Sequence, residues 1–169
     1  MIGFLTHILK RKKIYIFHPN LKIDIIIFGK INTNFSLQKK IKFFELNDQV
    51  YISTLLKALL IFTFNLKNNL KDIYFKEVIK KFSPKIAIGD EINNNVFKFK
   101  KYFPNKIAIG FQIVNRSNIT TNKIIDKKYC DYFLLFNQKS KRYYRNIKAK
   151  FFIIGSLKKS KRLSENLLN

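Results

Sequence analysis

Short β-branched runs alternate along this chain with longer stretches whose apolar residues recur at helical spacing. Residues 14–17 and 23–28 are β-rich runs separated by the turn signal His18-Pro19-Asn20, and Gly29 closes the second, which is expected in the core. After a polar stretch containing Asn32, Asn34 and Ser36, residues 41–46 read as another short strand, with Asn47-Asp48 expected to cap the next element. Residues 50–64 read as a long apolar helix. Residues 70–82 read as a second, with Ile73, Val78, Ile79 and Phe82 near one face and Lys71, Lys76, Lys80 and Lys81 mostly on the other. Pro84 ends it.

The pentapeptide KIAIG then occurs twice, at 85–89 and 106–110, each time just after a proline. Between the copies, residues 93–103 read as one helix closed by Pro104, which outlines a β-α-β crossover. Each copy stops at a glycine, where a backbone turns sharply or approaches a ligand. A polar loop at 115–122, a strand at 132–136 preceded by Cys130-Asp131, a basic helix at 139–146 and a last strand at 151–154 complete the series. Strands alternating with helices predict an α/β fold with a mostly parallel sheet and right-handed crossovers. One domain is expected over 14–157, with a basic amphipathic lead-in at 1–13 and a tail or linker at 158–169.

Composition bounds this picture. The 169 residues are 47% hydrophobic and 15% aromatic, enough for one globular core and unlike a disordered chain. Against 10 Asp and Glu stand 34 Lys and Arg, a net charge of +24. Two readings of that excess stay open: a polyanionic partner, either nucleic acid or an anionic membrane face, or the AT-rich codon usage that also supplies Asn, Ile and Phe. Cys130 is the single cysteine, so no intramolecular disulfide forms, a reducing cytoplasm is the simplest compartment, and buried filler is its expected role. The N-terminal segment places its charges after a short apolar stretch, unlike a signal peptide. Residues 50–66 are interrupted by Lys57 and Asn65 and fall short of a membrane span, so a buried or surface-lying helix is expected there.

No P-loop, GxGxxG, GxSxG, HExxH or spaced Cys/His cluster is present. His7 and His18 stand alone, as surface or turn residues would, and no metal site is expected. The candidate chemistry lies instead at strand ends: Asp90, Glu91, Asn93, Asn94 and Asn95 after the first KIAIG, and Gln112, Asn115 and Arg116 after the second. Asn137 follows the strand at 132–136, and Gly155-Ser156 follows the last. Past the carboxyl ends of parallel strands such groups converge on one crevice, where a sugar or nucleotide is held by several hydrogen bonds. Asp90 suits a sugar-hydroxyl acceptor or general base, or a helix N-cap. Arg116 suits a phosphate clamp, or one solvated cation among many.

The series at 90–95 (DEINNN), 97–104 (FKFKKYFP), 107–112 with Arg116 (IAIGFQ...R), 131–136 (DYFLLF) and 153–157 (IIGSL) resembles a family of bacterial surface-carbohydrate (O-antigen or capsule) biosynthesis proteins. That resemblance implies the N-terminal, Rossmann-like half of a GT-B glycosyltransferase-like fold, with Asp90, Asn94, Gln112 and Arg116 facing an interdomain cleft. Ile113-Val114 stand where the family pattern has Asn-Gly. The resemblance also implies that a nucleotide-sugar donor is bound mainly by a second domain expected after the IGS strand, so no cofactor is expected in this chain, which alone is expected not to transfer sugar. A glycan or lipid-linked acceptor, a separate C-terminal domain and the anionic inner face of the cytoplasmic membrane are the partners this reading implies. Two alternatives come from other classes: a basic α/β module binding nucleic acid through Arg142, Tyr143, Tyr144 and Arg145, and an inactive remnant.

Overall fold

The computed structural model describes residues 13–19, 21–29, 43–45, 49–65, 69–113 and 128–155. The fold is α/β, with parallel strand pairing and flanking helices of the Rossmann-like kind. The chain divides into two compact units, Met1–Ile86 and Ala87–Asn169.

In the first unit β1 (Lys13–Tyr15), β2 (Ile25–Phe28), β3 (Phe43–Glu45) and β4 (Gln49–Tyr51) precede α1 (Ile52–Phe64) and α2 (Leu70–Phe82). β2 pairs in parallel with β3, Ile25 opposite Phe43, and Ile26, Ile27 and Phe28 are buried as expected of a core strand. β1 pairs in parallel with β4, Tyr15 opposite Tyr51. The apolar run at 50–64 therefore opens with a strand, and the helix begins at Ile52 rather than Val50. Tyr51 is its N-cap and makes no side-chain capping bond; the expected caps Asn47-Asp48 lie outside the described residues. Tyr51 is instead held by its neighbours. The Tyr74 hydroxyl accepts from Tyr51 N at 3.0 Å, and the Tyr51 hydroxyl donates to Gln49 Oε1 at 2.5 Å.

α2 has the bounds the sequence predicts because its ends are chemically marked. Asn69 caps it by accepting from Lys71 N at 2.9 Å, Asp72 sits in the first turn, and Lys80 and Lys81 sit in the last. Ser83 then takes a left-handed conformation at φ 47°, and Pro84 comes next. α1 and α2 pack through Ala58, Leu70 and Ile73, with Leu59, Ile61, Phe62 and Tyr74 around them. Glu77 is buried in α2, with Lys57 of α1 and Lys80 on its two oxygens at 2.7 and 2.8 Å. Burial pushes the Glu77 carboxyl up, but the hydrogen bonds and charges of Lys57 and Lys80 outweigh it and hold the group below its ordinary value.

His18 departs from the surface or turn position expected of it. Its ring is half-buried, 4.4 Å from the Tyr51 ring and 4.1 Å from Phe82. Nδ1 donates to the Pro19 carbonyl at 2.9 Å, which leaves Nε2 as a buried acceptor with no donor among the described residues. Burial lowers its pKa, so neutral imidazole is favoured.

The second unit holds β5 (Ile86–Asp90), α3 (Asn95–Tyr102), β6 (Ile107–Phe111), β7 (Lys128–Leu135), a 3-10 helix (Gln138–Tyr144) and β8 (Ile147–Ile153). The strand order is β5-β6-β7-β8. β6 with β7 and β7 with β8 are parallel, with Gly110 opposite Phe133 and Phe133 opposite Phe151. Ala87, Val96, Phe99, Ala108, Phe133 and Leu135 fill the core without measurable exposure.

Several boundaries move against expectation. β7 begins at Lys128, taking Cys130 and Asp131 into the strand, and β8 begins at Ile147 rather than Phe151. The basic segment at 139–146 is a 3-10 helix ending at Tyr144. The two KIAIG glycines lie inside their strands, and neither has a positive φ. Gly110 is there for space: a Cβ on it would stand 2.6 Å from Phe133 Cδ2. Cys130 is buried as expected, and burial pushes its thiol up to about 12, so it stays protonated near neutrality.

Candidate functional site

Three neighbouring strands of the second unit, β5, β6 and β7, end at Asp90, Phe111 and Leu135. In a parallel sheet such carboxyl ends are where side chains and free amides gather. The candidate residues there differ in what they are already bonded to.

Gln112 is buried, and its Oε1 accepts from Phe136 N at 3.1 Å while its own N donates to Leu134 O at 2.9 Å. The side chain prolongs the β6–β7 ladder past the strand ends. Glu91 is buried as well. Its backbone N donates to Phe111 O at 3.0 Å, and its carboxylate accepts from the Tyr144 hydroxyl. Tyr144 packs on Phe133 with ring centroids 4.9 Å apart, so this bond ties the end of β5 to the 3-10 helix. Asn137 caps that helix, accepting from Ser140 N at 2.9 Å and from Ser140 Oγ at 3.1 Å. All three polar side chains have fold-building partners.

Asp90 is built differently. Its Oδ1 accepts from Ile92 N at 2.9 Å and Asn93 N at 2.7 Å, which fixes the carboxylate's direction. Its Oδ2 meets no donor among the described residues. α3 begins at Asn95, so Asp90 caps the turn ahead of the helix rather than the helix itself. Asn93 in turn accepts from Asn95 N at 3.1 Å. Asn94 occupies the N-cap position without a side-chain capping bond and is exposed, and Asn95 is half-buried. At the end of β8, Gly155 has φ 70° and open space where a Cβ would stand, as a turn residue has. Asn115, Arg116 and Ser156 lie outside the described residues.

Thus Asp90, Asn94 and Asn95 are brought together on one turn with hydrogen-bonding capacity unspent among the described residues, whereas Glu91, Gln112 and Asn137 hold the scaffold behind them. A carboxylate pinned through one oxygen is a directional acceptor through the other, suited to a hydroxyl. Among the described residues no group of three or more His, Cys, Asp or Glu side chains gathers to hold a metal.

Two structural residues carried no sequence signal for their roles. Asp131 Oδ2 accepts from Ala108 N at 2.8 Å, and its Oδ1 pairs with Lys100 Nζ at 2.7 Å. Lys100 also donates to the carbonyls of Pro104 at 2.7 Å and Lys106 at 3.0 Å. Tyr144, expected on a stacking patch, is buried against Glu91, which removes it from any base-stacking surface. Arg142 remains exposed, stacked on the Tyr143 ring at 4.8 Å. Comparison with known proteins finds no family model, no curated protein and no solved structure that matches this chain.

Proposed function

We propose that this chain is the acceptor-side Rossmann-like domain of a glycosyltransferase-like protein of surface-polysaccharide (O-antigen or capsule) biosynthesis, binding a saccharide acceptor and transferring nothing by itself. Asp90 is the observation that carries the reading. Its Oδ1 is pinned by two backbone N–H groups, and its Oδ2 is unclaimed among the described residues at the carboxyl end of β5. Such an oxygen accepts from a sugar hydroxyl, and Asn94 and Asn95 on the same turn supply amide donors and acceptors to the neighbouring hydroxyls. The resemblance at 90–95, 107–116, 131–136 and 153–157 supports the choice of substrate class, and it assigns the nucleotide-sugar donor to a second domain.

The test is amide chemical-shift mapping of the full chain with free saccharides, nucleotide sugars and a single-stranded oligonucleotide. Saccharides are expected to move the amides of residues 90–95, with nucleotide sugars alone moving none. Asp90→Asn is expected to weaken saccharide binding by roughly tenfold, the loss of one charge-assisted hydrogen bond. Shifts confined to the oligonucleotide, with a steep salt dependence, would replace this reading with the nucleic-acid one.

A further inference from the structure

Among the described residues, the first unit leaves an apolar ridge uncovered. On α1, Ile52, Leu56, Leu60 and Phe64 stand four residues apart, and they are 38%, 57%, 63% and 91% exposed. The opposite side of the helix buries Thr54, Leu55 and Ala58. The ridge runs about 18 Å along the helix. It is extended at its N-terminal end, where Ser53 N donates to Ile16 O at 3.0 Å, bringing the exposed Ile16 and Phe17 beside Ile52. A soluble surface scatters such residues singly, whereas here six lie on one unit in a helical row and its extension.

We propose that this ridge is a docking face for an anionic phospholipid bilayer, with α1 lying in the plane of the interface. Charge chooses the occupant. α1 has no acidic residue, and its one cation, Lys57, is turned to Glu77 of α2, so the ridge itself is uncharged. The chain as a whole is strongly cationic, +24, and the exposed Lys13 opens β1, whose partner strand β4 runs directly into α1. An uncharged apolar face on a strongly cationic chain is complementary to acyl chains beneath anionic headgroups. A second copy presenting the same face would bring +24 against +24. No helix among the described residues is long and apolar enough to cross a membrane, and the thirteen residues of α1 make only about 20 Å, so the helix lies along the surface. The inference stands independently of the saccharide reading.

The chain contains no tryptophan, so Phe64→Trp is a unique reporter at the most exposed point of the ridge. Its emission is expected to shift to the blue with vesicles of equimolar phosphatidylcholine and phosphatidylglycerol, and to be quenched by brominated acyl chains. Ile107→Trp, at an exposed position in the other unit, is expected to do neither. In flotation, Leu60→Ser with Phe64→Ser should lower partitioning on the same vesicles by on the order of tenfold or more, and raised salt should weaken wild-type binding. Pure phosphatidylcholine vesicles should bind far less. Absence of wild-type binding to the anionic vesicles would overturn the proposal. So would equal binding by wild type and the double variant, which would make the attraction one of charge alone. A wild-type dimer that the double variant converts to monomer in sedimentation would assign the face to a second copy instead.

Discussion

The two ends of the strands in the second unit use their carboxylates in opposite ways. Towards the amino end, Asp131 spends both oxygens, one on Ala108 N and one on Lys100, and Lys100 spends its remaining donors on the carbonyls of Pro104 and Lys106. That knot joins α3, the turn after it, β6 and β7. At the carboxyl end Asp90 spends one oxygen on two backbone amides and, among the described residues, leaves the other. Unspent bonding capacity at a strand end, rather than the mere presence of a carboxylate, separates a candidate site from a structural anchor.

The largest effect is expected where the capacity is fully used. Asp131→Ala would leave the buried Ala108 N–H without its acceptor and Lys100 without its counter-charge, at a cost of about 3 kcal/mol. Urea unfolding is the measurement, and a loss under about 1 kcal/mol would show that Asp131 is no anchor. Next comes the one carboxyl-end group that behaves like the amino end. Tyr144→Phe removes the hydroxyl that Glu91 accepts from in the interior, and a loss of about 2 kcal/mol is expected with residues 90–95 unperturbed in binding. A variant with wild-type stability but impaired saccharide binding would instead move Glu91 into the site.

The first unit extends the contrast through pH. Glu77 is another saturated carboxylate, with its pKa held below the ordinary value in the folded protein. The unfolded chain therefore binds that proton more tightly than the folded one. The pairing contributes its full stability above the unfolded carboxylate pKa, and the contribution is lost as pH falls through the folded value. Glu77→Gln is expected to lower stability by about 1 kcal/mol at neutral pH and to flatten part of the acid limb, both read from urea midpoints against pH. An unchanged acid limb in the variant would show that Glu77 is not among the groups driving it.

Legibility in the sequence tracks the range of the interactions. α2 was readable to the residue because its punctuation is local: Asp72 early, Lys80 and Lys81 late, and Pro84 just beyond. β4 was not, since Val50-Tyr51 continue an apolar run into α1 and their partner β1 lies far back in the chain. The start of β8 was in fact written locally, in the alternation of Ile147, Ala149 and Phe151 with Lys148 and Lys150. The charge of Asp131 hid it within β7, because Lys100, which offsets it, is brought near only by folding. At the candidate site, position was legible and availability was not. Glu91 and Asp90 are adjacent in sequence, yet Glu91 is buried with its carboxylate on a tyrosine 53 residues away, while Asp90 turns one oxygen to the amides that follow it.

That distinction makes Asp90→Asn the smallest expected change in stability and the most informative. Asparagine keeps a side-chain oxygen, so the bonds from Ile92 N and Asn93 N persist and the turn before α3 is retained, with a loss of at most about 0.5 kcal/mol. What changes is the second oxygen, which becomes an amide nitrogen that donates where a hydroxyl hydrogen would approach. A group with no role beyond the turn would lose nothing detectable in either assay. A group poised for a ligand keeps its stability and loses affinity, by roughly tenfold for a charge-assisted bond. Asp131→Asn supplies the opposite pattern: stability should fall, because the amide weakens the attraction to Lys100, while saccharide affinity per folded molecule holds. If both variants lost stability alone, the open oxygen of Asp90 would be only a solvated face, and the two ends of the sheet would differ in exposure rather than in function.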